Sequence, residues 1–231
     1  MLSLFSTGSS NGERLTRESA VLSLLMEATT MTTSANSSPN IHPHPPAPGT
    51  TAAQILMHEH TLILQALNAI EKRISALETG TATDRAFFEK AVEFLRTFAD
   101  RCHHGKEEDI LFTMMVDELD YPRKGGPVAV LTTEHERGRD FIRGIAEAAA
   151  VLDKDPTAAR KIVENGRGYI QLLRTHIDRE DTIVFPMVEQ FLDDADQARL
   201  AGKFAQFDRQ EIESGRRAAS LRLLEDLTQS A

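Results

Sequence analysis

The chain lacks tryptophan, has two tyrosines, and carries one cysteine, Cys102, among 231 residues. A single cysteine excludes an internal disulfide framework and suits a reducing compartment. Basic residues are in the minority: 26 lysines and arginines face 35 aspartates and glutamates, a formal charge of -9. That balance argues against a general nucleic-acid or anionic-membrane surface. No apolar run approaches the ~20 residues of a bilayer-spanning helix. The first residues, MLSLFSTGSSNGERLTR, have no basic stretch ahead of their short apolar one, which makes a poor secretory signal. Also missing are a Ser/His/Asp arrangement, a phosphate-cradling glycine loop and a four-cysteine site, so hydrolytic, nucleotide and zinc-finger readings have no support. The expectation is a cytoplasmic protein that engages neither nucleic acid nor membrane.

Residues 29–52 are rich in Thr, Ser, Asn, Pro and Ala, with Pro43, Pro45, Pro46 and Pro48 close together. Such a segment buries too little apolar surface to offset its ordering entropy. Residues 1–50 are therefore expected to be low-complexity and disordered, with a short amphipathic helix over 17–28 and Met26 and Met31 as alternative starts. His42 and His44 lie in this stretch and read as solvated.

From residue 51 the apolar pattern turns helical. A first helix over 52–77 carries Ile63, Leu67, Ile70 and Ile74 on one stripe. A second starts at an Asp84 N-cap and ends near Leu119, with Val92, Leu95, Ala99, His103, Glu107, Ile110 and Met114 facing inward. A third follows Pro127 and ends near Leu152. A fourth starts at Asp155-Pro156, with Ile162, Gly166, Tyr169, Leu173, His176, Glu180, Ile183 and Met187 inward. Steps of four and three are the seam of a helix bundle, and short connections make neighbours antiparallel. The predicted fold is all-α: an up-and-down antiparallel four-helix bundle over 51–192, then a C-terminal helical extension over 193–231, read as one segment across 195–227.

One motif occurs twice. His103-His104-Gly105-Lys106-Glu107-Glu108-Asp109-Ile110-Leu111-Phe112 recurs as His176-Ile177-Asp178-Arg179-Glu180-Asp181-Thr182-Ile183-Val184-Phe185. Each copy sets a histidine four residues before a glutamate, on one helix face. Glu59-His60 precedes the first copy and Glu134-His135 the second. Two such hairpins supply the nitrogens and bridging carboxylates of a dinuclear metal centre. The bland alternative is a polar core network. Yet these residues lie on stripes otherwise made of Leu, Ile, Ala and Met, where facing carboxylates are costly unless cations neutralise them.

The repeat also chooses among neighbours. The Glu-His pattern favours His60 over His58. Aligning Phe112 with Phe185 pairs His103 with His176 and Glu107 with Glu180. His104 and Glu108 then turn about 100° off the inner face of an α-helix, which puts His104 at the surface or behind a ligand.

The order Glu-His, HxxxE(E/D)xxxF, Glu-His, HxxxE(E/D)xxxFP resembles the hemerythrin-like (HHE cation-binding) domain over about residues 52–190. The resemblance implies a non-haem di-iron centre in the bundle. His60 and His103 would bind one iron, His135 and His176 the other, and Glu107 and Glu180 would bridge both beside an oxo, hydroxo or water ligand. Manganese is the lesser substitute. Oxygen-carrying members have a further histidine one turn after the third-helix ligand, where this chain has Arg139. That departure implies four histidines, a nearly symmetric site and an exchangeable position at the metals. In this respect the chain is similar to bacterial di-iron proteins linked to iron–sulfur repair, nitric oxide or peroxide handling, though it lacks the cysteine-bearing N-terminal domain of the repair proteins. The implied activity is binding or reducing dioxygen, nitric oxide or peroxide. Enzyme, sensor, and iron store or donor stay open, as does any redox partner. Tyr169 reads as core packing, with a role behind the ligands or in radical quenching as the alternative.

Deletion of residues 1–48 should leave folding and metal content intact, because that segment has no periodic apolar face. Circular dichroism and metal analysis of the shortened chain check this.

Overall fold

The structure, a computed structural model, describes residues 49–80 and 84–230. The low-complexity stretch, the helix expected over 17–28, and His42 and His44 lie outside the described residues. Helix α1 (Ala52–Glu78) opens with a capping box: Thr51 Oγ1 accepts from the Gln54 amide, and Gln54 Oε1 accepts from the Thr51 amide. Helix α2 (Arg85–Phe94) starts at Asp84, whose side chain accepts from the Phe87 amide. It continues through two π-helical stretches, Leu95–His104 and Glu107–Leu111, into α3 (Phe112–Asp117). Helix α4 (Gly126–Ala150) follows Gly125, whose φ of 86° suits a residue without a side chain. Helix α5 (Ala158–Arg179) passes through a third π-helical stretch, Glu180–Val184, into α6 (Phe185–Glu189). These make four rods, with short connections between consecutive antiparallel neighbours. Helices α7 (Asp194–Glu213) and α8 (Arg216–Gln229) complete the described chain. Among the described residues no helix is long and apolar enough to cross a membrane.

Three details differ from the sequence expectation. The fourth rod begins at Ala158 rather than at 155–156, because the Asp155 carboxylate turns back to accept from the Thr157 amide and hydroxyl and so closes a turn. The extension is two helices, not one: Gly215 takes a left-handed φ of 75° and reverses the chain. The inward stripes also shift locally within each motif, while Met114 and Met187 beyond it are buried as expected. Leu111 and Val184 are buried where Ile110 and Ile183 were expected, since each wider π turn inserts a residue into the 3.6 period.

The main core packs Ile63, Leu67 and Ile74 of α1 against Phe94, Phe98, Ile162 and Leu173 of the other rods. Leu221, Leu224 and Leu227 of α8 join it, so the extension is part of the core. Further along each rod lies a second set of buried apolar side chains, including Leu56, Leu111, Phe112, Val184 and Phe185. The polar motif residues occupy the layer between.

At Gly166 the rods approach closely: a Cβ there would lie 2.3 Å from Ile74 Cδ1. Alanine normally gains ~1 kcal/mol over glycine in a helix, but forcing a buried neighbour aside costs ~1–3 kcal/mol. Gly166→Ala should therefore destabilise the protein in urea unfolding, and the same change made on Ile74→Val, which lacks the offending methyl, should stabilise it.

Candidate metal centre

Seven side chains from all four rods converge in that polar layer. His60 comes from α1, His103, His104 and Glu107 from the second rod, His135 from α4, and His176 and Glu180 from the fourth rod. All are buried. Their donor atoms form two groups, each within 4.8 Å: His60, His103, Glu107 and Glu180, and His104, Glu107, His135 and His176. Glu107 spans the two, with Oε1 3.3 Å from His103 Nε2 and Oε2 3.4 Å from His135 Nε2. Glu180 Oε2 lies 3.3 Å from His60 Nε2 and 3.2 Å from His176 Nε2. Two donors held ~2.1 Å from one cation at right angles would sit ~3 Å apart, so these separations suit shared ions.

The outer nitrogens explain why the inner ones point inward. Every Nδ1 meets a carboxylate: His60 meets Asp181 at 2.7 Å, His103 meets Glu59 at 3.2 Å, and His104 meets Asp100 at 3.3 Å. His135 meets Glu108 at 2.7 Å and His176 meets Glu134 at 3.0 Å. A carboxylate only accepts, so each Nδ1 donates and each neutral ring turns a lone pair inward. Four of these contacts form a ring. Glu59 of the first rod supports the second rod's His103, Glu108 the third's His135, Glu134 the fourth's His176, and Asp181 the first's His60. The glutamate before each isolated histidine and the second acid of each motif are thus orienting groups.

Most of the inward atoms have no hydrogen-bond partner within the protein. Nε2 of His60, His103 and His104 and both carboxylate oxygens of Glu107 and Glu180 are buried without a hydrogen-bond partner. The Nε2 atoms of His135 and His176 face each other at 3.1 Å. Nine buried donor atoms aimed at one another are intolerable unless positive charge sits among them. With protein groups alone, protons supply it. Burial opposes charge on His60 and His176, but Asp181 and Glu180 hold the first at about 9, and Glu180 and Glu134 hold the second at about 10. Burial and His60 push His103 down to about 4, and burial and His135 push His104 well below the usual range. Burial and the facing Glu180 push Glu107 far up; Glu180, despite burial, is held down by His176 and His60. Metal ions would replace those protons, and the donor set fits two.

The hemerythrin HHE cation binding domain matches residues 51–188. The chain belongs to that family. It is also 27% identical over 158 residues to uncharacterized proteins of Mycobacterium bovis and Mycobacterium tuberculosis, a stretch covering 67% of this chain and 60% of those relatives. The chain thus spans about 60% of the length of the curated relatives it matches. No solved structure matches it significantly.

Within the family frame, the structure brings together all six residues singled out in the sequence: His60, His103, Glu107, His135, His176 and Glu180. His58 is exposed. One expectation is corrected. His104 is not at the surface or behind a ligand: it is 3% exposed and grouped with His135 and His176. The cause is the π-helix, whose smaller rotation per residue lets adjacent histidines both face inward. The candidate donor groups therefore contain five histidines, two in one and three in the other. Arg139, one turn after His135, stands behind the histidines. Its guanidinium donates to Asp100 at 2.9 Å and Glu108 at 2.8 Å, the carboxylates that orient His104 and His135. Tyr169 is buried in the core, as expected, and its hydroxyl has no partner.

His104→Ala and His103→Ala should each lower the metal content of folded protein, measured by elemental analysis. Arg139→Gln should keep the stoichiometry but weaken metal affinity ~10–100-fold, as loss of support behind a ligand does. Full metal retention by His104→Ala would place that ring outside the centre.

Proposed function

We propose that the chain is a non-haem di-iron protein that binds or reduces a small ligand: dioxygen, nitric oxide or peroxide. The convergence of seven buried side chains, five of them with inward atoms that have no hydrogen-bond partner, carries the reading. Imidazole and carboxylate donors without thiolate favour iron or manganese, and Glu107 shared between the two groups, with Glu180 between His60 and His176, favours a dinuclear iron site. Bound iron would supply Lewis acidity and an electron store. The rest falls to the protein. Glu107 and Glu180 would hold the pair together. His104, His135 and His176 would saturate one side, while His60 and His103 leave the other with fewer nitrogens and more room for an external ligand.

The motif phenylalanines shield the centre. Phe185 stacks on His60 with centroids 5.7 Å apart and planes 12° from parallel, and Phe112 stacks on His135 at 5.8 Å and 17°. Each fixes a ring and excludes water. Counting His104 brings the histidines to five, the number in the oxygen-carrying members, so dioxygen stays among the candidate ligands. An iron donor is less favoured, because five imidazoles anchored at Nδ1 suit retention rather than release.

Protein expressed with iron should contain about two irons per chain by elemental analysis. Its reduced form, prepared anaerobically, should change its electronic spectrum on exposure to dioxygen or nitric oxide, or its oxidised form on exposure to peroxide. Folded protein holding one iron or none overturns the dinuclear reading. A di-iron protein inert to all three overturns the proposed reactivity.

A further inference from the structure

The two motif copies are supported differently behind their first histidine. In the second copy Glu134, which orients His176, is bound by Arg179 at 2.6 Å, and that pair is partly exposed, at 15% and 24%. In the first copy Glu59 orients His103, and Lys106 stands where Arg179 stands. Here both members are 0% exposed. Helices α7 and α8 roof them. Phe204 of α7 is fully buried and lies 5.9 Å from the Lys106 ammonium, and Phe207 packs on Gly105.

An ammonium and a carboxylate sealed from water need further partners, and the tail supplies both signs. Lys106 donates to Glu59 Oε1 and, at 2.9 Å, to Asp208 Oδ1 of α7. Arg217 of α8 donates to Glu59 Oε1 at 3.0 Å and lies 3.6 Å from Asp208. Two cations thus hold one oxygen of Glu59, leaving Oε2 for His103 Nδ1 at 3.2 Å. By contrast, Asp100, Glu108 and Glu134 are held by Arg139 and Arg179, residues of the bundle itself.

We propose that Asp208 and Arg217 are positioning residues of the metal centre: the C-terminal hairpin locks Lys106 and Glu59 and thereby sets how firmly the His60/His103 side keeps its ion. The inference rests on the two-metal reading above and concerns one half of the centre. Loss of either tail residue leaves an uncompensated charge beside Glu59, so that Lys106 and Glu59 reorganise and His103 loses its fixed orientation. The His104/His135/His176 side, supported by Arg139 and Arg179, is untouched.

The test uses the full chain loaded with iron and follows release of reduced iron to a chelator, with the electronic spectrum and the melting temperature of the metal-free protein recorded alongside. Asp208→Asn and Arg217→Gln should each release one of the two irons about tenfold or more faster than the unaltered chain, with the other iron unchanged and the spectrum altered. Arg217→Lys should restore much of the slow phase. Glu211→Gln is the control, because it breaks the tail's outer pairs with Arg216 and Arg101 without reaching Glu59; it should lower melting but leave release unchanged. Wild-type release and spectra in Asp208→Asn and Arg217→Gln, or equal acceleration in Glu211→Gln, overturn the inference alone. An unaltered chain that holds fewer than two irons overturns the two-metal reading and the inference with it.

Discussion

Two carboxylates facing each other out of reach of water govern this structure. Glu107 and Glu180 are fully buried, and neither has a hydrogen-bond donor of its own. Such a pair is tolerable only around positive charge, and the bundle is arranged to provide it. Histidines surround the pair, acids stand behind the histidines, and basic residues stand behind several of the acids. Charge alternates outward from the centre until it meets solvent or, on one side, the C-terminal helices. Apolar layers on either side of the polar one carry the ordinary work of stability, which leaves the middle layer free for residues that would weaken a core.

Departure from α-helical geometry occurs where the donors are densest. The second rod is π-helical from Leu95 to His104 and from Glu107 to Leu111, and the fourth from Glu180 to Val184. A wider turn is unfavourable in itself, and such turns gather at functional sites. Here the result is visible in the side chains: His103 and His104 both reach the centre, and a five-histidine set is assembled with Arg139 at the third-helix position.

Much of this was legible in the sequence. Repetition picked out six residues that the structure brings together, because a doubled His/Glu spacing is far more specific than one copy, and the 3.6 period outlined the rods. The missed features share a cause. His104, Ile110 and Ile183 were misplaced because a constant 100° step was applied through segments where the helix widens. The adjacent pair His103-His104 was a signal in plain sight, as was the second acid of each motif, which proved to orient a histidine on the next rod. Lys106 gave no signal at all. A lysine between a histidine and a glutamate reads as solvated, and only the return of α7 and α8, far along the chain, seals it in.

The ring of orienting acids has a consequence for ancestry. Glu59 reaches from the first rod to the second, and Glu108 reaches onward to the third, so one hairpin contains an orienting acid for itself and another for its neighbour. Two identical copies of such a hairpin, related by a twofold axis, would close the same ring and bring the same pairs of carboxylates together. A self-associating two-helix peptide therefore holds enough information to specify the site, and fusion of two copies would free each to diverge. The departures from twofold symmetry here, His104 opposite Ile177 and a roofed Lys106 opposite an open Arg179, are the kind of change that only a fused chain can acquire on one side at a time.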